Sequence, residues 1–487
     1  MPEKVKEYNA FLERKKQYGA DVGFAPLFMP DYLFDFQKHL VDWALRKGRA
    51  ALFADCGLGK TPMQLVWAEN IRRKTKKDVL ILTPLAVSRQ TIRESEKFNI
   101  PAAISQDGQH KGGLVVTNYE RLDNFHPGDF AGCVCDESSI LKSFTGHRRK
   151  QITRFMNKIP YRLLCTATAA PNDYIELGTS SEALGHLSHT EMLKRFFKYL
   201  DDKGQKKEKR EQDEAYYIIE ANNNYYRKLS YRVAQTIGQW RLKHHAVNLF
   251  WRWVSSWARA CRMPSDMGYD DSAFVLPKLN LRKTIIKSNS PPEGMLFTVP
   301  AVGLSMEREE RRRTLNERCE LVANLVRHNR PAIVWCHMNN EGDLLEQLIP
   351  DAEQISGRTK DERRGELYDA FVDGNLRVLV IKPKIGAWGL NWQHCNHIVT
   401  FASHSYEQYY QSVRRCWRFG QKNDVDLDII ATEGEIRVME NMLRKEQQAN
   451  AMFKSIIKNM YNAENVNNKQ KFTEREDLPL WLSKVNV

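Results

Sequence analysis

Ala51-Leu-Phe-Ala-Asp-Cys-Gly-Leu-Gly-Lys-Thr61 is a short apolar run that breaks into a glycine-rich turn ending on a lysine and a threonine. It reads as a strand feeding a phosphate-binding loop. Gly57 and Gly59, flanking Leu58, let the backbone approach a polyphosphate with its N–H groups pointing inward, and the helix that follows presents its positive N-terminal end. Lys60 reaches the β- and γ-phosphates in such a loop, and Thr61 holds Mg²⁺. The strict pattern has glycine where this chain has Ala54. Spacing alone therefore also admits an ordinary Gly-rich turn before a helix, and the flanking sequence has to decide.

Upstream, residues 33–47 carry apolar positions at helical spacing around Gln37. A glutamine there is commonly a surface residue, but just before a phosphate loop its amide can bond an adenine edge, offering a donor and an acceptor together. Downstream, a helix through about Lys74 leads to Asp78-Val-Leu-Ile-Leu-Thr83-Pro84, a buried-strand run stopped by proline. Leu114-Val-Val-Thr117-Asn118 repeats that pattern, and Cys133-Val-Cys135 delivers Asp136-Glu137 at its carboxyl end, where ligands bind in a parallel sheet. An acidic pair after a strand is often a helix cap. Beside Lys60 and Thr61, it divides the labour of hydrolysis: Asp136 for Mg²⁺, Glu137 to orient or deprotonate water. The strand Leu163-Leu-Cys165 ends in Thr166-Ala-Thr168, two hydroxyls that either cap a helix or relay nucleotide state to neighbouring loops.

The order Gln37, Ala54 to Thr61, Thr83-Pro84, Asp136-Glu137, Thr166-Ala-Thr168 resembles the first RecA-like lobe of superfamily-two helicases. The Swi/Snf-type translocases are the nearest type, since Asp136-Glu-Ser-Ser-Ile-Leu-Lys142-Ser143 is similar to their Asp-Glu-x-His-x-x-Lys-Asn and Thr166-Ala-Thr-Ala-Ala-Pro-Asn172 to their Thr-Gly-Thr-Pro-x-x-Asn. Ser139 stands at the usual histidine. A second α/β segment opens at Ala332-Ile-Val-Trp-Cys336 and has no Lys-Thr loop of its own. It contains Gln411-Ser-Val-Arg-Arg415-Cys-Trp-Arg418-Phe-Gly420-Gln421, in which Gln411, Arg415 and Arg418 share one face if helical. Arginines presented from a lobe without a phosphate loop neutralise charge on a γ-phosphoryl bound to the other lobe. The segment resembles the Swi/Snf arginine-finger motif, and phage-encoded members carry linkers similar to Met263–Tyr269 and Val275–Leu279. Pro383 occupies a position where the family usually has threonine. By the resemblance, Pro84, Thr117, Asn118, Lys142, Gly389 and Asn391 follow the nucleic-acid path.

The 487 residues, net charge +14 and isoelectric point near 9.2 suit a multi-domain protein with a polyanionic partner, or a basic protein with a well-solvated surface. Cys133, Cys135, Cys165 and Cys336 lie in apolar runs, as buried thiols of a reducing compartment do. Their spacing predicts no structural metal. No window is apolar for long enough to cross a bilayer, which predicts a cytoplasmic protein, in the host cytoplasm if phage-encoded. Between about 180 and 310 the strand and helix alternation is lost. Tyr216, Tyr217, Tyr225, Tyr226, Trp240, Trp251, Trp253 and Trp257 are interleaved there with arginines and lysines. Such aromatics stack bases in some proteins and more often form the core of a helical insertion.

The expected fold is α/β, two RecA-like parallel-sheet lobes with a mainly helical insertion between them. The divisions are an extension over 1–32, lobe one over 33–185, insertion and linker over 186–306, lobe two over 307–445, and a helix and tail over 446–487. The helix after residue 433 is expected to brace the second lobe. The expected function is an ATP- and Mg²⁺-dependent translocase or helicase on DNA, duplex by the resemblance, in phage-type replication, repair or recombination. It is expected to act as a monomer, with replication or repair proteins as possible partners. A strand-separating helicase and a non-motor nucleotide switch are the alternatives.

Overall fold

The computed structural model describes residues 21–85, 87–143, 146–199, 240–287, 301, 304–387 and 390–467. The first six strands are β1 (Arg49–Ala54), β2 (Asp78–Thr83), β3 (Ala102–Ile104), β4 (Leu114–Asn118), β5 (Phe130–Asp136) and β6 (Tyr161–Cys165). After them come β7 (Phe197–Tyr199), β8 (Trp240–Leu242), β9 (Ala258–Cys261) and β10 (Leu279–Ile286). The last five are β11 (Ala332–Trp335), β12 (Ala352–Ile355), β13 (Val378–Ile381), β14 (His397–Phe401) and β15 (Val425–Thr432).

Among the described residues, seven strands form one parallel sheet in the order β3-β4-β2-β5-β6-β1-β9, and six form a second in the order β10-β15-β14-β11-β13-β12. β7 and β8 make a small antiparallel pair. The continuous apolar runs of the sequence are continuous because both faces of each large sheet are covered. In β2, Leu80 and Leu82 enter one core while Val79 and Ile81 enter the other. β11 repeats this in the second lobe, with Ile333 and Trp335 on one side and Ala332 and Val334 on the other.

Of the predicted insertion, residues 200–239 and 288–300 lie outside the described residues, and the described remainder packs on the lobes. β9 pairs with β1 at the edge of the first sheet (Ala51 opposite Ala258), and the helix Val247–Ser255 carries Phe250, Trp251, Trp253 and Val254 into the first-lobe core beside Trp257. β10 pairs with all eight residues of β15 on the second sheet. The described part of 186–306 is thus divided between the two lobes. The pattern hid this because β9 is only Ala-Arg-Ala-Cys and β10 is a partly exposed edge strand. The core reading of the three tryptophans holds, and full burial of each large apolar side chain is worth about 1.5–3 kcal/mol. The four tyrosines of 216–226 lie outside the described residues.

The helix Ile436–Asn467 also departs from expectation. Met442 and Ala449 pack in the second lobe, but Met452, Phe453, Ile456 and Met460 join the first-lobe core. It straps the lobes together rather than bracing one. All nine cysteines are buried free thiols. No described helix is long and apolar enough to cross a membrane.

Candidate functional site: an interlobe nucleotide cleft

β1 runs into the phosphate loop, and the helix Lys60–Thr75 leaves it from Gly59. Gly57 and Gly59 have φ of 90° and 73°, a region L side chains rarely adopt. A side chain at either position would also crowd its neighbours. A Cβ on Gly59 would lie 2.3 Å from Gln37 Nε2, and one on Gly57 would lie 3.0 Å from Phe419 of the second lobe. Gln37 supports the loop from behind: its Nε2 donates to the Leu58 carbonyl at 2.9 Å, and its Oε1 accepts from Phe34 N at 3.0 Å. One amide hydrogen and one oxygen lone pair are left over for a base. Lys60 Nζ donates to the carbonyls of Ala54 and Asp55 at 3.1 and 3.3 Å.

β5 ends at Asp136, 5 % exposed, whose carboxylate accepts from Gln64 Nε2 at 2.7 Å. Burial first, and then the charge of adjacent Glu137, push Asp136 up to about 6, against the pull of Gln64 and Lys60. Glu137 sits at φ 50°, a strained conformation for a side chain of this kind. Its Oε2 faces Thr166 Oγ1 at 3.4 Å and Gln411 Nε2, from the opposite lobe, at 3.5 Å. Thr168 N donates to Thr166 Oγ1 at 3.1 Å, while Thr168 Oγ1 reaches Glu407 Oε1 at 3.5 Å. Glu407 in turn pairs with Lys142. The two threonines read as coupling residues therefore stand between Glu137 and a second-lobe carboxylate.

On the second lobe, the helix Tyr406–Val413 is capped by Ser405, which accepts from Gln408 N. The helix ends at Val413, so Arg415 and Arg418 lie beyond it, yet Arg415 folds back on Gln411, donating to its side chain at 2.7 Å and its carbonyl at 3.2 Å, and also to the Leu390 carbonyl at 2.9 Å. Arg418 bonds Asn391, and burial, then the neighbouring Arg415, bring its guanidinium down to about 10. These residues close a cleft of about 470 Å³ whose lining includes Gln37, Gly57, Gly59, Lys60, Thr61, Asp136, Glu137, Asn391, Arg415, Arg418 and Phe419. A hydroxyl at Thr61 and a carboxylate at Asp136 on its wall are the oxygen donors that Mg²⁺ prefers, so the residues fit that ion.

The carried-over nucleic-acid residues do not form one open face. Thr117 is 1 % and Asn118 7 % exposed, because β4 lies between β3 and β2. Pro84 is half-buried, Lys142 is taken by Glu407, and Asn391 belongs to the nucleotide cleft. Gly389 lies outside the described residues. Sequence reasoning missed Gln64, although four residues after Lys60 on the same helix was a usable signal. It also missed Asp55, Glu407, Tyr410 and Arg414, whose partners are distant in sequence.

Residues 306–420 match the helicase conserved C-terminal domain. The mouse (Mus musculus) DNA annealing helicase and endonuclease ZRANB3 is 29 % identical over 180 residues, which is 32 % of this chain and 17 % of that protein. The chain thus spans about a sixth of that relative's length. The structure of S. cerevisiae Dbp5 bound to RNA and ADP BeF3 covers 87 % of this chain and 93 % of its own at 12 % identity, with a TM-score of 0.47. With a phosphate loop in one parallel-sheet lobe and a match to the helicase conserved C-terminal domain in the other, the chain is similar to the superfamily-two helicases.

Proposed function

We propose that the protein is an ATP-hydrolysing motor that translocates on DNA, preferring duplex, in the cytoplasm during replication, repair or recombination. The observation that carries this reading is the reach of Gln411 across the cleft to Glu137, with Arg415 and Arg418 behind it. In this reading Lys60 exchanges the Ala54 and Asp55 carbonyls for the β- and γ-phosphates. Glu137 orients the attacking water, held by Thr166 and Gln411, while the two arginines neutralise charge developing on the γ-phosphoryl group. Mg²⁺, when bound by Thr61 and Asp136, shields the phosphate oxygens from one another. Lys142 is the junction with the polymer: a backbone phosphate competing for it frees Glu407, whose other partner is Thr168. Cycles of lobe closure and opening then become steps along the strand.

The net charge of +14 supports a polyanionic partner, and the name of the mouse relative supports DNA. Backbone contacts give little sequence preference and a steep salt dependence. The test is steady-state ATPase activity without nucleic acid and with single-stranded DNA, duplex DNA or RNA, beside Lys60→Ala. Duplex stimulation that vanishes in the variant is expected. Stronger stimulation by single strands or forks would replace translocation with strand separation, and absence of turnover throughout would replace the motor with a switch.

A further inference from the structure

Asp55 places a carboxylate inside the turn that has to receive a polyphosphate. Its Oδ1 accepts from Cys56 N at 2.6 Å and from the Tyr410 hydroxyl, and its Oδ2 pairs with Arg414 Nη2. Both acid and arginine are nearly buried, with side chains 12 % and 7 % exposed. The arginine is held in place by its own lobe: it lies over the Trp417 ring at 4.9 Å and donates to the Trp417 carbonyl at 3.3 Å. Two second-lobe side chains therefore grip the first lobe's phosphate loop, at a point distinct from Arg415 and Arg418.

We infer that Arg414 and Tyr410 are positioning residues that make the phosphate loop competent for nucleotide, by holding Asp55 and cancelling its charge when the lobes meet. With the lobes apart, the bare carboxylate repels a polyphosphate through a few ångströms of low-dielectric protein. Nucleotide affinity then depends on the second lobe at the binding step, before any γ-phosphate chemistry. By linkage, nucleotide favours lobe contact to the same degree. The inference rests on the ATP-site reading above, but the lobe contact it describes does not.

Two substitutions separate charge from contact. Arg414→Met leaves the carboxylate buried and unpaired, whereas Asp55→Asn breaks the ion pair and removes the repelling charge. Both are expected to loosen the lobes equally, seen without nucleotide as a matching fall in energy transfer between dyes on Lys77→Cys and Asn375→Cys, two exposed positions. Their effects on a fluorescent ATP analogue should diverge. Arg414→Met weakens binding tenfold or more, Asp55→Asn binds at least as tightly as wild type, and the double variant stays within threefold of Asp55→Asn. Arg414→Lys restores binding to within threefold of wild type. Equal weakening by both single variants, the same Arg414→Met penalty when Asp55→Asn is already present, or unchanged energy transfer in Arg414→Met would overturn the inference. A wild type that binds no nucleotide, with Lys60→Ala indistinguishable from it, sinks the ATP-site reading and the inference with it. Normal wild-type binding with any of the three failures above removes only the inference.

Discussion

The two lobes share one layered architecture and use their buried polar groups in opposite ways. In the second lobe, away from the cleft, Arg318, Glu341 and Asp428 are paired closely within their own lobe. Arg318 and Glu341, each with a fully buried side chain, meet at 2.7 Å, and Glu341 also accepts from the backbone of His337 and Met338. Asp428 takes two bonds from Arg282 and one from His397, which together hold it down at about 2 although burial alone would raise it. In the first lobe Glu137, just beyond the carboxyl end of β5, is held loosely. Among the described residues, Glu137 has side-chain partners at 3.4 and 3.5 Å, at the long end for hydrogen bonds, and Asp136 is pushed towards protonation. Closed networks fix a shape, whereas open ones wait for something else to complete them.

The contrast can be broken most directly at Glu137. Glu137→Gln keeps the shape of the site and removes the base, and turnover should fall by about 10²–10⁴-fold while ATP-analogue binding persists. Wild-type-like turnover would remove Glu137 from the water-activating role. Next in size is Arg318→Met, which leaves Glu341 buried without its cation and should cost about 3–5 kcal/mol of stability in urea unfolding, with turnover per folded molecule unchanged. Loss of turnover at full stability would show that the second-lobe network is not purely architectural. The smallest effect sharpens the first-lobe side. Gln64→Leu removes the side-chain donor that Asp136 has among the described residues, and should lower kcat about tenfold with little change in melting temperature. A loss of stability instead would place Gln64 among the structural groups.

What could be read from sequence divides along similar lines. The phosphate loop, Asp136-Glu137 and the Gln411, Arg415, Arg418 series are local patterns, and their order along the chain together with the family resemblance pointed to one cleft, which they line. β9 and β10 were not legible, because four small residues and a half-exposed edge strand carry no periodicity of their own. Nor was the Asp55–Arg414 pair, whose members are 359 residues apart and meet only when the lobes do. Thr117 and Asn118 illustrate a third case: a motif fixes where a residue falls along a strand, but the neighbouring strands decide whether its side chain reaches solvent.

The strap helix has a mechanical consequence. Ile436–Asn467 has 32 residues, so it is a rod about 48 Å long, with one end seated in the second lobe and its further turns in the first. Free separation of the lobes would strip the rod from one of its seats and expose Met452, Phe453 and Ile456 to water. Rotation about the rod's long axis, with small slips along its apolar stripe, leaves both seats filled. A lobe movement that keeps both seats filled is therefore a turn about this helix, as a hinge turns on its pin.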